Sequence, residues 1–454
     1  MGELFGTDGI RGRAGIGWLS EAAARLIGET LGRTVAGTSG SSKQPRALLG
    51  HDGRRSGPRL EAAMAAGLAA AGYECKSAGL ITTPGLALLG RIDGFDVTVM
   101  LSASHNPAED NGIKIFGPGG SKLSDEAEAA LEAELLAAGL PEAEAEPTAA
   151  LEADADLEEH YAKFLLDAVD GLELTGLNLV LDCSNGGGSR IGPKVFGRLG
   201  AVVHAIAAAP DGDNINQNCG ATDLALLQEE VRRLGADVGV ALDGDGDRCI
   251  LVDERGEVVH GDGILTVVAG DAMARDLWKD PRVVATVMSN KGLHRALREV
   301  GVGVETVGVG DRHVVAGLKA MGLPLGGEQS GHVIFGDDLF HIGDGIYTAL
   351  RVLAVMRRTG LPLSELAAPY AAFPQVLLNL RVTEKPPLDE VPGLADAVAA
   401  CEEELGEDGR VLLRYSGTED LARVMVEGPS HERIDAMARE LVAILEKAIG
   451  APVA

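Results

Sequence analysis

Three aspartates at alternate positions, Asp243, Asp245 and Asp247, sit in the stretch LDGDGDRC. Carboxylates so close repel one another, and a soluble chain rarely keeps them together without a cation. Hard oxygen donors suit Mg2+, one ion per chain, which usually keeps water or a substrate phosphate in its shell. The stretch also admits an EF-hand loop, because Glu254 falls at its twelfth position. Against that, the sixth position is Arg248 where such a loop needs glycine, and the flanks VGVAL and CILVD are strand sequences rather than helices. A phosphatase with an aspartate nucleophile after a strand is a second alternative, and it leaves Asp247 and Arg248 without a purpose. A solvated acidic turn is the plain one.

A second cluster is LSASHNPAEDNGIKIF, Leu101 to Phe116, where Ser102, Ser104 and His105 follow an apolar run and Lys114 comes ten residues after Ser104. Ser, Asn, Pro and Gly are ordinary turn formers, so a surface turn explains the composition. A nucleophilic Ser104 presented at a strand end explains it too. Near the C-terminus, LLRYSGTEDLARVMVEG sets Arg414, Ser416, Gly417 and Thr418 between two strands. Arginine forks, hydroxyls and free backbone N–H groups in a Gly-containing turn make a phosphate site. Arg423, on the following strand, fits that site or a structural ion pair. LGGEQSGHVIF offers Glu328, Gln329, Ser330 and His332 at a strand exit, suited to several hydroxyls of one ligand or to a satisfied polar turn. Two further loops carry arginine: FGTDGIRG, with Arg11, and VGVGDRHV, with Asp311 and Arg312.

These loops need strands to aim them. Short apolar segments precede most of them: ALLG before His51, VTVML before Ser102, LNLVLD before Cys183, VGVAL before Asp243 and RVVATVM before Ser289. Helical stretches alternate with them, with apolar residues at three- and four-residue spacing in Leu60–Ala71 and Leu224–Leu234. That alternation is the α/β signature, and open α/β sheets place ligands at such strand-to-loop exits. The Ala- and Glu-rich stretch Glu126–Asp156, broken by Pro141 and Pro147, reads as a solvated helix and linker. Further boundaries are expected at a hairpin-like turn near Gly256 and near Pro369–Pro374. Beyond the last, the pattern is strand, helix, strand, strand, helix, an α+β arrangement. The limits expected are 1–155, 156–256, 257–370 and 371–454.

Bulk properties narrow the partners. A length of 454 residues exceeds one core. The net charge of −28 argues against nucleic acid or an anionic membrane as main partner, and obliges any phosphate-bearing ligand to meet local arginines. Five cysteines, an odd number without CxxC spacing, argue against a disulfide framework or a zinc ribbon. Cys249 reads as a small apolar strand residue. No apolar leader follows MGELFGTDGI and no run is long enough to span a bilayer, so a cytoplasmic protein is expected.

Taken in order, FGTDGIRG, SASHNP, NGIK, DGDGDR, VGDR, GEQSGH and RYSGTE resemble the α-D-phosphohexomutase family over essentially the whole chain. GEQSGH, without methionine, together with NINQNCGATD (Asn214–Asp223) and MSNKGL (Met288–Leu293), is similar to its glucosamine branch; glucose or mannose is the alternative sugar. GHDGRRSG (Gly50–Gly57) departs from the usual motif in having Gly53 where threonine is common. The resemblance implies an α/β fold of four domains around a central cleft, three related mixed-sheet units followed by a smaller α+β domain. It implies an isomerase that interconverts glucosamine 6-phosphate and glucosamine 1-phosphate, on the route to UDP-N-acetylglucosamine. Glucosamine 1,6-bisphosphate would be the intermediate and activator. Ser104 would be a phosphoserine, carrying the phosphoryl group and joining Asp243, Asp245 and Asp247 around Mg2+; Ser102 matches a non-catalytic position. Lys114, Arg11 and His105 would serve catalysis, Arg248, Asp311, Arg312, Glu328, Ser330 and His332 the substrate, and Arg414, Ser416, Gly417, Thr418 and Arg423 the phosphate. A sugar phosphate is then the partner, with no nucleic acid and no membrane, and a homodimer is compatible. Two readings from other classes compete. A phosphatase needs no returning phosphoryl group, and a silent sensor has little reason to keep Ser104 and all three aspartates.

Overall fold

The computed structural model describes residues 3–6, 8–36, 44–141, 148–336, 341–416 and 420–450. The chain forms two compact units, Met1–Val287 with Glu305–Ala367, and Met288–Val304 with Ala368–Ala454. The expected strands are present as Arg46–His51, Val97–Leu101, Asn178–Asp182, Val238–Leu242 and Arg282–Thr286. VTVML and VGVAL are buried at every position, as strands covered on both faces must be. Gly57–Ala70 and Ala225–Leu234 are the expected helices.

Three sheets repeat one topology. Each is built around two strands followed by an antiparallel pair, ordered second, first, third, fourth. In the first, the order Glu74–Leu80, Arg46–His51, Val97–Leu101, Asp110–Phe116 ends on an added edge strand, Ile10–Arg13. The second runs Val202–Ile206, Asn178–Asp182, Val238–Leu242, Cys249–Asp253, again with an added strand, Val258–Val259. The third runs Gly303–Val307, Arg282–Thr286, Leu325–Gly327, Val333–Phe335. In all three the third strand is parallel to the first and antiparallel to the fourth. The shared strand-and-loop rhythm of the sequence is therefore a shared topology.

Helices fill the crossovers and are capped locally. Thr83–Ile92 starts where the Thr82 hydroxyl accepts the Gly85 N–H at 3.1 Å, with Pro84 in its first turn. The acidic stretch contains the helix Asp125–Ala138, which is exposed along most of its length. Leu131 and Leu135 are fully buried, and the Glu132 carboxylate accepts the N–H groups of Glu3, Leu4 and Phe5 at 2.7–3.0 Å.

The other unit holds a three-stranded antiparallel sheet, ordered Gln375–Arg381, Leu421–Glu427, Arg410–Tyr415, with helices Leu394–Leu405 and His431–Ile449. The sequence order is strand, helix, strand, strand, helix, as expected. Ile434, Met437, Ala438, Leu441, Leu445 and Ile449 form one buried helical stripe. The MSNKGL segment is tied into this unit. The Asn290 amide exchanges hydrogen bonds with the backbone of Phe373 at 2.8 and 3.1 Å, and buried Glu427 accepts the Lys291 N–H. Among the described residues, no helix is long and apolar enough to cross a membrane.

Candidate active site

In each of the three related sheets the connection from third to fourth strand holds one of the candidate loops. It is the Ser104 loop in the first, Asp243–Arg248 in the second and Glu328–His332 in the third. One topological position has been used three times.

Ser104 is 1% exposed and left-handed, with φ 52°. A serine persists there only if its surroundings fix it. Its N–H donates to Ser102 Oγ at 2.8 Å, and its carbonyl accepts from Arg54 Nη2 and Asn216 Nδ2, each at 2.9 Å. With both backbone ends held, Oγ donates to Asp243 Oδ2 at 2.6 Å and lies 3.3 Å from His105 Nδ1. Ser102 is employed differently: its hydroxyl donates to Asp52 Oδ2 at 2.6 Å. Arg54, fully buried, pairs with Asp52 at 2.9 Å and donates to the carbonyls of Ser104, Asn106, Pro107 and Asp110.

The three aspartates form a six-residue hairpin connection between Leu242 and Cys249, which are register partners. One oxygen from each lies within 4.8 Å of the others. Asp245 Oδ1 and Asp247 Oδ1 are buried and make no hydrogen bond. Burial, with Asp247 and Asp245 beside it, pushes the Asp243 carboxyl well above the usual range. Orphaned buried oxygens in a triple-carboxylate loop fit a hard divalent cation. The flanking strands exclude an EF-hand, and Glu254, its would-be twelfth ligand, instead binds the hydroxyl and N–H of Ser364.

Cations surround this loop. Lys114, 2% exposed, donates to Asp245 Oδ2 and Asp8 Oδ2 at 2.7 Å each and lies 3.6 Å from Asp247. Burial opposes its charge, but Asp245 and Asp8 outweigh burial and raise its pKa. Asp8 also takes Arg11 and Lys122 at 2.6 Å. Lys122 reaches on to Asp311 Oδ2 at 2.6 Å. Arg248 donates its N–H to Asp243 Oδ1 at 3.1 Å, and its buried Nε makes no hydrogen bond. Burial and then Arg248 and Arg11 lower the pKa of His105. His332 stands 3.6 Å from Asp247; burial disfavours its charge, yet Asp247 lifts its pKa to about 9.

Of the third loop, Glu328 Oε1 accepts the Gly310 N–H at 3.1 Å and Ser330 is exposed. Asp8, Lys122, Asp247, Asp311, Arg312 and His332 share a cavity of about 310 Å3 with apolar walls such as Phe116 and Ile334. Arg312 also pairs with Asp125 and Glu128. In the C-terminal unit, Arg414 and Arg423 are direct register partners on antiparallel strands and Ser416 is buried. Like charges placed opposite each other suit a shared anion. Gly417 and Thr418 lie outside the described residues.

The structure thus brings Ser104, His105, Lys114, Arg11, the three aspartates, Arg248 and His332 into one connected site, and Lys122 links it to Asp311. Sequence reasoning missed Asp52, Arg54, Asp8, Lys122 and Asn216. The first two stood in the atypical GHDGRRSG, Asp8 in FGTDGIRG and Asn216 in NINQNCGATD, so each lay inside a quoted motif without a task. Lys122 had no such signal.

Four family models match the chain. They are Phosphoglucomutase/phosphomannomutase alpha/beta/alpha domain I over residues 2–141, domain II over 159–256, domain III over 260–373, and the C-terminal domain over 377–444. The phosphoglucosamine mutase of Rhodococcus opacus strain B4 is 46% identical, covering 97% of this chain and 98% of its own. A phosphoglucomutase/phosphomannomutase family protein from Burkholderia thailandensis has a TM-score of 0.78 at 26% identity, covering 98% and 97% of the two chains. The Aspergillus fumigatus N-acetylphosphoglucosamine mutase, solved in complex with GlcNAc-6P and magnesium, shares the fold with a TM-score of 0.63 at 20% identity, covering 99% and 96%. With its repeated sheets, its serine and aspartate loops and these relatives, the chain belongs to the phosphoglucomutase/phosphomannomutase family, among the phosphoglucosamine mutases, and is an isomerase.

Proposed function

We propose that Ser104 is the phosphoryl carrier and that the chain interconverts glucosamine 6-phosphate and glucosamine 1-phosphate through glucosamine 1,6-bisphosphate. The observation that carries this reading is the Ser104 hydroxyl, fixed by its backbone and 2.6 Å from Asp243 at the mouth of the aspartate loop. Asp243, Asp245 and Asp247 would hold one Mg2+, with an oxygen of phosphorylated Ser104 as a further ligand; the relative solved with magnesium supports that metal. Such an ion offsets phosphate charge during in-line transfer.

The chain's own groups supply the rest. The free sugar hydroxyl attacks the phosphorus of phosphoserine, the new P–O bond forms as the P–Oγ bond of Ser104 breaks, and the proton of the hydroxyl ends on Ser104 Oγ. Lys114, with Arg11 near it, would neutralise charge at that oxygen or exchange the proton, and His105 lies beside Ser104 Oγ. The bisphosphate then turns around and returns its other phosphoryl group to Ser104. Turning requires that the unreactive end be held alike in both orientations, a task that suits Arg414, Ser416, Gly417, Thr418 and Arg423. O3 and O4 lie between the two ends, so Glu328 and Ser330 can hold them either way round. Arg248, Asp311, Arg312 and His332 complete the substrate groups. A cytoplasmic location belongs to the same proposal.

Isomerisation of glucosamine, glucose and mannose 6-phosphates, assayed side by side, tests the substrate. Glucosamine should be preferred, and a better rate on glucose or mannose overturns the amino-sugar reading. Release of inorganic phosphate in place of isomerisation would point to a phosphatase.

A further inference from the structure

The NINQNCGATD segment resembles its branch of the family yet has no task in the chemistry above. It lies in the loop that follows the second strand of the second sheet, Val202–Ile206. Among the described residues, eight other than glycine have positive φ. Five of them, Ser184, Asn185, Ala207, Asn216 and Asn218, are in this loop or the one it packs on. Left-handed residues in such density persist only where surrounding bonds dictate them. Here Asn185 N–H donates to Ala207 O at 2.6 Å and Asn216 N–H to Ser184 O at 2.9 Å, while Asn185 Oδ1 accepts from Ala209 N–H at 3.1 Å.

The strain is spent on one side chain. Asn216 Nδ2 donates to Ser104 O at 2.9 Å and to Asn106 O at 3.1 Å. Arg54 Nη2 donates to the same two carbonyls at 2.9 Å each. Because both oxygens can only accept, the amide must present its NH2 group to them. Gly244 keeps the approach open, since a Cβ there would stand 2.5 Å from Ser104 O and 2.9 Å from Asn216 Nδ2. We infer that Asn216 is a positioning residue of the reaction, clamping the Ser104 loop from the second sheet's side as Arg54 clamps it from the first. The inference rests on Ser104 being the phosphoryl carrier. A carrier must meet phosphorus in line twice per turnover, so small displacements of its Oγ are costly.

Asn216→Gly separates side chain from backbone, because glycine accepts the left-handed conformation and keeps the N–H to Ser184. Its kcat should fall about ten- to a hundredfold, with KM for glucosamine 6-phosphate and the melting temperature unchanged. Asn216→Asp should fall further, since a carboxylate would face two carbonyl oxygens. Asn218→Gly, left-handed and exposed in the same loop, should leave kcat unchanged. Normal kcat in Asn216→Gly overturns the assignment. So does a loss that comes with a lowered melting temperature, or an equal loss in Asn218→Gly. Ser104→Ala, measured alongside, keeps the two ideas apart: an active Ser104→Ala refutes the carrier, whereas an inactive one beside a normal Asn216→Gly refutes only the clamp.

Discussion

The loops between third and fourth strands in the first and second sheets occupy the same topological place and are satisfied in opposite ways. Around Ser104 the backbone is over-determined: N–H on Ser102, carbonyl on both Arg54 and Asn216. Around Asp243, Asp245 and Asp247 the polar groups are under-determined, with two buried carboxylate oxygens that make no hydrogen bond. One loop is finished by the chain itself and holds a hydroxyl in place. The other keeps two carboxylate oxygens that a bound cation would satisfy. Topology fixes where the chemistry happens, while hydrogen-bond satisfaction distinguishes a loop that positions from a loop that binds.

Removing the hydroxyl should have the largest effect. Ser104→Ala deletes the proposed phosphoryl-carrying hydroxyl but none of the backbone bonds that hold the loop, so turnover should be abolished and the melting temperature kept. Peptide mapping of the unmodified protein should find phosphate on Ser104 and on no other residue. An active variant, or phosphate elsewhere, breaks the first half of the comparison.

The second loop should respond to metal in a way the first does not. Asp245→Asn removes one of the carboxylates that would hold the ion, and losing electrostatic stabilisation of this kind costs ~10²–10³ in rate. Mg2+ should raise the melting temperature of the unmodified chain by relieving carboxylate repulsion, and chelator should reverse the rise. Asp245→Asn should show less of it. Full activity of the variant in chelator would mean that the loop is not a catalytic metal site.

Much of this contrast could be read from the sequence, because its chemical residues are close together in the chain. Alternating aspartates after VGVAL, and a serine and histidine after VTVML, needed only a strand to aim them. The braces were illegible for the converse reason. Arg54 lies 50 residues from Ser104, Asn216 lies 112 residues away, and Lys122 meets Asp311 across 189. No periodicity relates such positions; strand order within the first sheet brings Arg54 to Ser104, and the packing of one sheet's loops on another's brings Asn216 and Lys122 to their partners. The acidic helix Asp125–Ala138 is the solvated helix its composition suggests, exposed along most of its length; what could not be read was that Glu132 and Glu128 meet the N-terminal backbone and Arg312.

Ser102→Ala sharpens the first half at a smaller scale. The Ser102 hydroxyl is fully buried, donates to Asp52 and accepts from Ser104 N–H. Its loss leaves a buried N–H and a buried carboxylate short of one bond each, costing about 1–3 kcal/mol of stability. Turnover should survive at a reduced level, because Arg54 and Asn216 still hold the Ser104 carbonyl. Denaturant unfolding and the mutase assay together check this. A variant as inactive as Ser104→Ala would mean that Ser102 does more than brace.

The third loop sits between these extremes, and its test has the smallest expected effect. One oxygen of Glu328 is already occupied by the Gly310 N–H, so the carboxylate is held by the chain, as Ser104 is, yet retains acceptor capacity for a ligand. The substrate amine is on C2, next to the O3 that Glu328 would contact, and is cationic for part of the time near neutral pH. Glucose keeps a C2 hydroxyl that can still hydrogen-bond, so the enzyme should prefer glucosamine without excluding glucose. One partly solvated, charge-assisted contact is worth roughly 1.5–3 kcal/mol, about ten- to a hundredfold in kcat/KM. Glu328→Gln keeps the shape and an acceptor oxygen for Gly310 but removes the charge. It should lower activity on both sugars and narrow the gap between them, an outcome read from kcat/KM measured on the two 6-phosphates. An unchanged ratio would remove Glu328 from the choice of sugar while leaving it as a scaffold of the loop.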